Sequence, residues 1–128
     1  MAEVGIACAF SRGWGWFPNH YGKLLAAATG VENSGDMGYL RKVGERIVNL
    51  ERAFNVREGF SRKDDKLPVR MLSEPLHTYD AIGEGEIVRE MEPFLDRYYE
   101  LRGWSKDGIP TAKKLAELGL AEMAKGIF

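Results

Sequence analysis

Residues 40–54 read LRKVGERIVNLERAF, and this stretch predicts the longest helix of the chain. Its apolar residues recur at spacings of three and four, as on one face of an amphipathic helix: Leu40, Val43, Ile47, Leu50 and Phe54. The residues expected on the outer faces are charged: Arg41, Lys42, Glu45, Glu51 and Arg52. Ser34 or Asp36 is suited to cap its start, and we expect it to end between Asn55 and Gly59.

Three further helices are predicted on either side of this one. The first follows Asn19 and stops at Gly30, and the third covers Ile87 to Leu101, with Pro93 in its first turn and Gly103 closing it. The last begins near Thr111 and continues through Gly119. No segment alternates like a strand. We therefore predict an all-α protein, an irregular bundle of about four helices with long ordered loops, forming a single domain over residues 1–128.

Composition narrows the class of protein. An apolar fraction of 45% and a charged fraction of 29% are typical of a globular chain, and a net charge of -1 argues against a nucleic-acid binder. No apolar run approaches the ~20 residues that a membrane span needs. Cys8 is the only cysteine, which excludes an intrachain disulfide and fits a reducing compartment. We expect a cytoplasmic protein without a signal peptide.

Taken alone, the residues contain no complete catalytic or metal-binding motif. Cys8 is far in sequence from both histidines, His20 and His77, so the spacing does not support a nucleophile and base pair. A cluster of iron and sulfur usually needs four thiolates, and this chain offers one. No residue is assigned as catalytic.

Two motifs resemble a known family. The first is NVREGF followed by SRKDDKLP, at residues 55–68, and the second is YYELRGW at residues 98–104. Together with the LLAAATG stretch ending at Gly30, they resemble the C-terminal region of the tungsten-containing aldehyde:ferredoxin oxidoreductases. The resemblance covers most of the chain from Tyr21 onward. It implies a part of an enzyme that oxidises aldehydes to carboxylic acids with tungstopterin and a [4Fe-4S] cluster, and passes electrons to ferredoxin.

The resemblance also implies where cofactors lie. Cys8 falls where the family has the fourth cluster ligand, so residues 1–18 are expected to be a segment close to the cluster and the pterin. Glu3 stands where the family has aspartate, and Ile6 and Ala7 replace Gly-Leu, which weakens the implied pterin contact. A buried, inert thiol is the alternative for Cys8. Trp14, Trp16 and Phe17 either shield the cluster or pack in a core.

The loop Arg62, Lys63, Asp64 and Asp65 has two interpretations. In the first, it lies near the cofactor or the substrate channel. In the second, its charges form local turns and ion pairs that fix the loop after the long helix.

Three hypotheses about function follow from the resemblance. In the first, the chain needs the N-terminal pterin-binding region, because that region and the other cluster cysteines are expected outside this sequence, and it is not catalytic alone. In the second, it is a stand-alone, non-catalytic helical interaction module. In the third, it is one subunit of a split enzyme, and a separate chain supplies the missing domains.

Overall fold

A computed structural model describes residues 20–75 and 90–125 of the chain. The helices are α1 (Tyr21–Thr29), α2 (Met37–Arg57), α3 (Val69–Ser73), α4 (Glu92–Arg102), α5 (Ala112–Glu117) and α6 (Ala121–Ala124), with short 3-10 turns at Glu32–Gly35 and Arg62–Asp64. Within the described residues the only extended pairing is an isolated bridge between Trp104 and Pro110. The all-α prediction is confirmed.

The start of the chain described here is a helical hairpin in which α1 packs on the turn before α2. Gly30 ends α1 in the left-handed conformation, with φ of 73°, a geometry that costs glycine nothing. Gly22 is buried, and a Cβ there would lie 2.4 Å from the carbonyl oxygen of Ser34. Only a residue without a side chain permits this approach. The predicted cap Asn19 lies outside the described residues, and His20 precedes the helix.

Helix α2 begins at the second of its two predicted caps. The Asp36 carboxylate accepts a hydrogen bond from the backbone N–H of Gly38 at 2.9 Å, which satisfies a donor that the helix leaves open. Ser34 is buried in the preceding turn instead. The helix ends at Arg57, within the predicted interval.

The faces of α2 differ from the prediction. Leu40 is buried, but Leu50 and Phe54 remain 39% and 52% exposed. Arg52, predicted on the outer face, is only 9% exposed, and Asn49 is fully buried. The expectation that Arg52 faces solvent is wrong because the fold supplies that guanidinium with a carboxylate, a carbonyl and two aromatic rings, as described below.

Helix α4 ends at the predicted stop but starts later than predicted, because Glu90 and Met91 precede it and are not helical. The helix starts at Glu92, with Pro93 in its first turn, and Gly103 ends it with φ of 70°. The predicted residues 87–89 lie outside the described part. The Trp104 ring packs back on the helix end, with its centroid 5.6 Å from that of Tyr98 and 5.8 Å from that of Tyr99.

The last predicted helix is two helices. Thr111 caps α5, accepting a hydrogen bond from the Lys114 N–H at 3.2 Å. Gly119 then adopts a left-handed conformation, with φ of 69°, which ends α5 and separates it from α6. This break brings Leu115, Leu118 and Leu120 into one buried cluster. A second difference is α3, a short helix that begins directly after Pro68, in one of the long loops that the sequence predicts.

Candidate functional site

The best-defined polar site surrounds the buried side chain of Arg52, on the inner face of α2. Its two terminal nitrogens donate to the two carboxylate oxygens of Asp65, at 2.8 and 2.6 Å, and its Nε donates to the carbonyl of Gly108 at 2.7 Å. Such a two-pronged pair fixes both distance and orientation, as a lysine ammonium cannot. Arg52 therefore joins α2, the loop after it and the turn after α4.

Two aromatic rings and an amide complete this site. The guanidinium carbon of Arg52 lies 5.0 Å from the ring centroid of Trp104 and 6.0 Å from that of Tyr99, within the range of cation–π attraction. Trp104 Nε1 donates to the side-chain oxygen of Asn49 at 2.8 Å, and the Asn49 amide donates to the Glu45 carbonyl at 2.9 Å. We call Asn49, Arg52, Asp65, Tyr99 and Trp104 the Arg52 cluster. Among the described residues, no buried side-chain polar atom lacks a partner.

The turn at Gly108 is shaped to admit Arg52. Gly108 is buried and has φ of 74°, and a Cβ there would overlap the Arg52 guanidinium and contact the Tyr99 ring. A glycine at this position gives both the left-handed backbone and the room for the arginine.

Electrostatics in the Arg52 cluster keep Asp65 charged and Tyr99 neutral. The hydrogen bonds from Arg52 lower the pKa of the Asp65 carboxyl, an effect that burial opposes and the Tyr99 hydroxyl reinforces. Burial, with the hydrogen bond that the Tyr99 hydroxyl donates to Asp65, raises the pKa of Tyr99 to about 12. The site is therefore a fixed, internally neutralised ion pair across the neutral pH range.

A second arginine links the same loop to α4 at the surface. Arg62 donates to the carboxylates of Glu92 at 3.0 Å and Asp96 at 2.6 Å, and to the Lys106 carbonyl at 3.1 Å. Its guanidinium carbon also lies 5.3 Å from the centroid of the Tyr99 ring, on which the Arg52 cluster depends. The two arginines therefore meet at one tyrosine.

The structure brings three of the four predicted loop residues into contacts within the fold. Arg62 and Asp65 pair as described, and the Asp64 carboxylate accepts from the Ser61 backbone N–H at 2.9 Å. Lys63 is exposed and makes no hydrogen bond or ion pair with the described part of the chain. These contacts match the second interpretation of the loop, in which its charges form local turns and ion pairs. Within the described residues, the ammonium group of Lys63 has no such partner.

The remaining predicted site residues cannot be located. Glu3, Ile6, Ala7 and Cys8, with the whole segment 1–18, lie outside the described residues, as does His77. His20 is exposed at the start of α1. Over residues 20–75 and 90–125, no group of three or more His, Cys, Asp or Glu side chains is placed to hold a metal ion.

Two shallow cavities lie along α2 and α4. One, of about 410 Å³, opens over the Arg52 cluster, and its lining includes Asp64, Met91, Leu95 and Tyr98. The other, of about 560 Å³, lies along α2 on a different side, and its lining includes Ile47, Val48, Glu51 and Arg102.

Comparison with known proteins gives the chain a family. The model of the family described as "Aldehyde ferredoxin oxidoreductase, domains 2 & 3" matches residues 1–120. The chain belongs to this family. It is 44% identical over 123 residues to a tungsten-containing aldehyde ferredoxin oxidoreductase of Pyrococcus horikoshii, and 42% identical over 123 residues to one of Thermococcus kodakarensis. Both matches cover 95% of this chain and 19% of the relative.

A solved structure shares the fold. The active-site complex of a benzoyl coenzyme A reductase, determined with 1,5-dienoyl-CoA, superposes with a TM-score of 0.63 at 34% identity. The superposition covers 84% of this chain and 14% of the reductase chain. The chain thus spans about a fifth of the length of the curated relatives it matches, and corresponds to a small part of a larger enzyme. No helix in the described ranges is long and apolar enough to cross a membrane.

Sequence reasoning missed most of the Arg52 cluster. Arg52 was assigned to the solvent face because a charged residue in a helix is usually exposed. No sequence pattern singles out Asn49, and Tyr99 and Trp104 enter only as members of the YYELRGW motif. Asp65 was selected through the resemblance rather than through its partner. No local spacing joins residues that are 13 and 56 positions apart, so the signal that could have found them lies in three dimensions.

Proposed function

We propose that this chain is the C-terminal part of an aldehyde:ferredoxin oxidoreductase, which oxidises aldehydes to carboxylic acids and is not catalytic without the rest of the enzyme. The observation that carries the proposal is the 44% identity to a tungsten-containing enzyme of that name, across nearly the whole chain. The short share of the relative that is matched, 19%, supports a partial role. The N-terminal pterin-binding region, in the same chain or a separate one, and ferredoxin are the partners we propose.

In the proposed enzyme, tungstopterin supplies the two-electron redox centre and a [4Fe-4S] cluster carries single electrons away from it. Cys8 is our candidate for one cluster thiolate, and Glu3, Ile6 and Ala7 are candidates for the adjoining pterin contact. The cytoplasmic setting that we propose agrees with a chain that has a single cysteine.

The described residues fit this role unequally. The polar atoms of Arg62, Asp64 and Asp65 are engaged within the fold, so we assign these three side chains to positioning the loop. Lys63 is the member of the loop whose ammonium is available to an anionic cofactor or to a facing carboxylate. This division is supported by the two ends of the loop, since Asp65 is held by Arg52 and Arg62 is held by carboxylates of α4, which leaves Lys63 exposed between them.

A chimera tests the proposal. In the Pyrococcus horikoshii enzyme, the matching region is replaced by this chain, and the protein is produced without oxygen in medium containing tungstate. We expect tungsten, iron and aldehyde oxidation coupled to ferredoxin reduction. The 128-residue chain alone, purified in the same way, should hold neither metal. Stoichiometric metal in the isolated chain, or a folded chimera without metal and activity, would contradict the proposal.

Substitutions in the chimera separate the residue assignments. Cys8→Ser should remove iron while the far-ultraviolet circular dichroism stays unchanged, and an intact cluster in that variant would rule out the ligand role. Lys63→Ala should lower activity or tungsten content without lowering stability. Lys66→Ala is its control, because Lys66 is another exposed lysine of the same loop.

A further inference from the structure

The apolar stripe of α2 points away from the part of the chain against which α2 packs. We call Val43, Ile47, Leu50 and Phe54 the α2 stripe. In its second half, α2 turns the face carrying Asn49, Arg52 and Ala53 inward, and these three residues are at most 9% exposed. At 3.6 residues per turn, the α2 stripe is centred roughly 140° away from that inward face.

The exposed fractions along the α2 stripe agree with this placement. Val43 and Ile47 are half-buried, and Leu50 and Phe54 are 39% and 52% exposed. Leu40 precedes the stripe at the start of the helix, and it is buried next to Gly22. A helix whose polar face is packed and whose apolar stripe is open has its amphipathic pattern directed at something that the chain's described residues do not provide.

The second cavity lies at one edge of this stripe. Its lining includes Ile47 and Val48, with the charged side chains of Glu51 and Arg102 beside them. The lining also includes Arg41 and Glu45, so this cavity is mainly a charged margin beside the apolar stripe. Polar rims of this kind surround the apolar core of protein interfaces.

We propose that the α2 stripe is the surface on which this domain docks against the remaining part of its enzyme. The occupant is argued from length: the matched relatives carry about four-fifths of their chain outside the matched region, as shown by the 19% coverage. A partner tethered in the same chain, or assembled with it, meets this surface at high effective concentration. The inference rests on the proposed function, because it takes the partner to be the rest of an aldehyde:ferredoxin oxidoreductase.

Hydroxyl-radical footprinting with mass spectrometry tests whether the α2 stripe is covered. Leu50 and Phe54 are oxidised readily when exposed, so their rates are compared between the isolated chain and the chimera. We expect rates several-fold lower in the chimera. Leu40, which is buried in the chain itself, should be protected in both and serves as the internal control.

Several outcomes would overturn the docking surface. Equal rates in both proteins would mean that the rest of the enzyme leaves the stripe open. Protection in the isolated chain that rises with concentration would assign the surface to a second copy. Protection that is independent of concentration would assign it to other segments of this chain.

A pair of phenylalanine variants provides a second measurement. Phe54→Glu should lower the melting temperature of the chimera by roughly 5 °C or more, and that of the isolated chain much less. Phe94→Glu is the matched control, since Phe94 is a 74% exposed phenylalanine on α4. A larger loss from Phe94→Glu than from Phe54→Glu would contradict the proposal.

The metal content of the chimera keeps the two proposals distinguishable. A protected stripe in a chimera without tungsten, iron or activity would overturn the proposed function and keep the docking surface. An active, metal-loaded chimera in which Leu50 and Phe54 are oxidised as fast as in the isolated chain would keep the proposed function and overturn the docking surface.

Discussion

Arg52 and Arg62 hold the same loop, but they do so in different surroundings. Arg52 lies in the interior, pairs with Asp65 and stacks on Trp104, and its side chain is 10% exposed. Arg62 pairs with two carboxylates whose side chains are 75% and 64% exposed. Arg62 makes five hydrogen bonds and Arg52 makes three. The larger number does not imply the larger contribution, because water and salt weaken exposed pairs while a buried charge without its partner is costly.

The largest effect is expected from removing the fork of Arg52. Arg52→Lys keeps the charge but cannot bridge Asp65 and Gly108 together, and Arg52→Ala leaves Asp65 without its partner. We expect Arg52→Ala to lower the free energy of unfolding by about 3 kcal/mol and Arg52→Lys to recover less than half of that loss. Urea denaturation followed by circular dichroism measures both.

The control for Arg52 is another arginine of the same helix. Arg57 forms its ion pair with its neighbour Glu58, and both side chains are 52% exposed. Its guanidinium carbon also lies 4.8 Å from the centroid of the Phe54 ring, which is itself 52% exposed. Arg57→Ala should change stability by less than ~0.5 kcal/mol. If Arg52→Ala and Arg57→Ala lower the free energy of unfolding by similar amounts, then the burial of Arg52 does not explain its contribution to stability.

A smaller effect is expected at the tyrosine between the two arginines. Tyr99→Phe removes the hydroxyl that donates to Asp65 and keeps the ring that both guanidinium groups approach. The loss should be about 2 kcal/mol, as for a hydrogen bond to a charged group. Tyr98→Phe, at a 41% exposed neighbour, is expected to have almost no effect. Equal losses at both positions would show that the hydrogen bond from Tyr99 to Asp65 contributes no more than an exposed hydroxyl does.

Arg62→Ala should cost less, about 1 kcal/mol or below, because its carboxylate partners face solvent. Its effect should also shrink in 1 M sodium chloride, where exposed charges are screened over ~3 Å. The loss from Arg52→Ala should persist under the same conditions. If the stability lost in Arg62→Ala did not depend on salt, the ion pairs of Arg62 would behave like the buried pair of Arg52, which would contradict this distinction.

The most gradual effect is that of pH on the Arg52 cluster. The pKa of Asp65 is lowered below its ordinary 3.8 in the folded chain, so its contribution is present above that pH and disappears as the pH falls through the folded value. The pKa of Tyr99 is raised from 10.0 to about 12, so its contribution is present below pH 10 and lost as the pH rises towards 12. Denaturation midpoints across pH measure both limbs, and in Tyr99→Phe the alkaline limb should flatten.

Sequence patterns anticipated the local structure where the signal is local. The Asp36 cap, the end of α2, the Gly103 stop and the Thr111 cap follow from one residue and its neighbours. The break at Gly119 did not, because glycine inside an apolar pattern is compatible with both a continued helix and a left-handed stop. The structure has the stop, closed by backbone hydrogen bonds from Gly119 to Ala116 and from Leu120 to Leu115, and this places Leu120 beside Leu115 and Leu118.

The candidate site divides in the same way. The resemblance directs attention to residues 62–65, a stretch that the family model also spans, but neither distinguishes a residue held inside the fold from one that faces outward. Asp65 and Lys63 are two positions apart and have opposite situations, since one is paired with Arg52 and the other is exposed. The cofactor-proximal roles predicted for Glu3, Ile6, Ala7 and Cys8 stay predictions.

The sequence by itself determined the helical class, most helix ends and the family, because periodicity, caps and motifs are properties of neighbouring residues. Only the tertiary structure decided which face of α2 is inside. A buried arginine is stable only where a carboxylate, a carbonyl and aromatic rings converge on it, and these come from the loop after α2, the end of α4 and the turn at Gly108. Residues that lie far apart in sequence leave no signal in a local pattern when the fold brings them together. Because the Arg52 side of α2 faces inward, the α2 stripe faces outward.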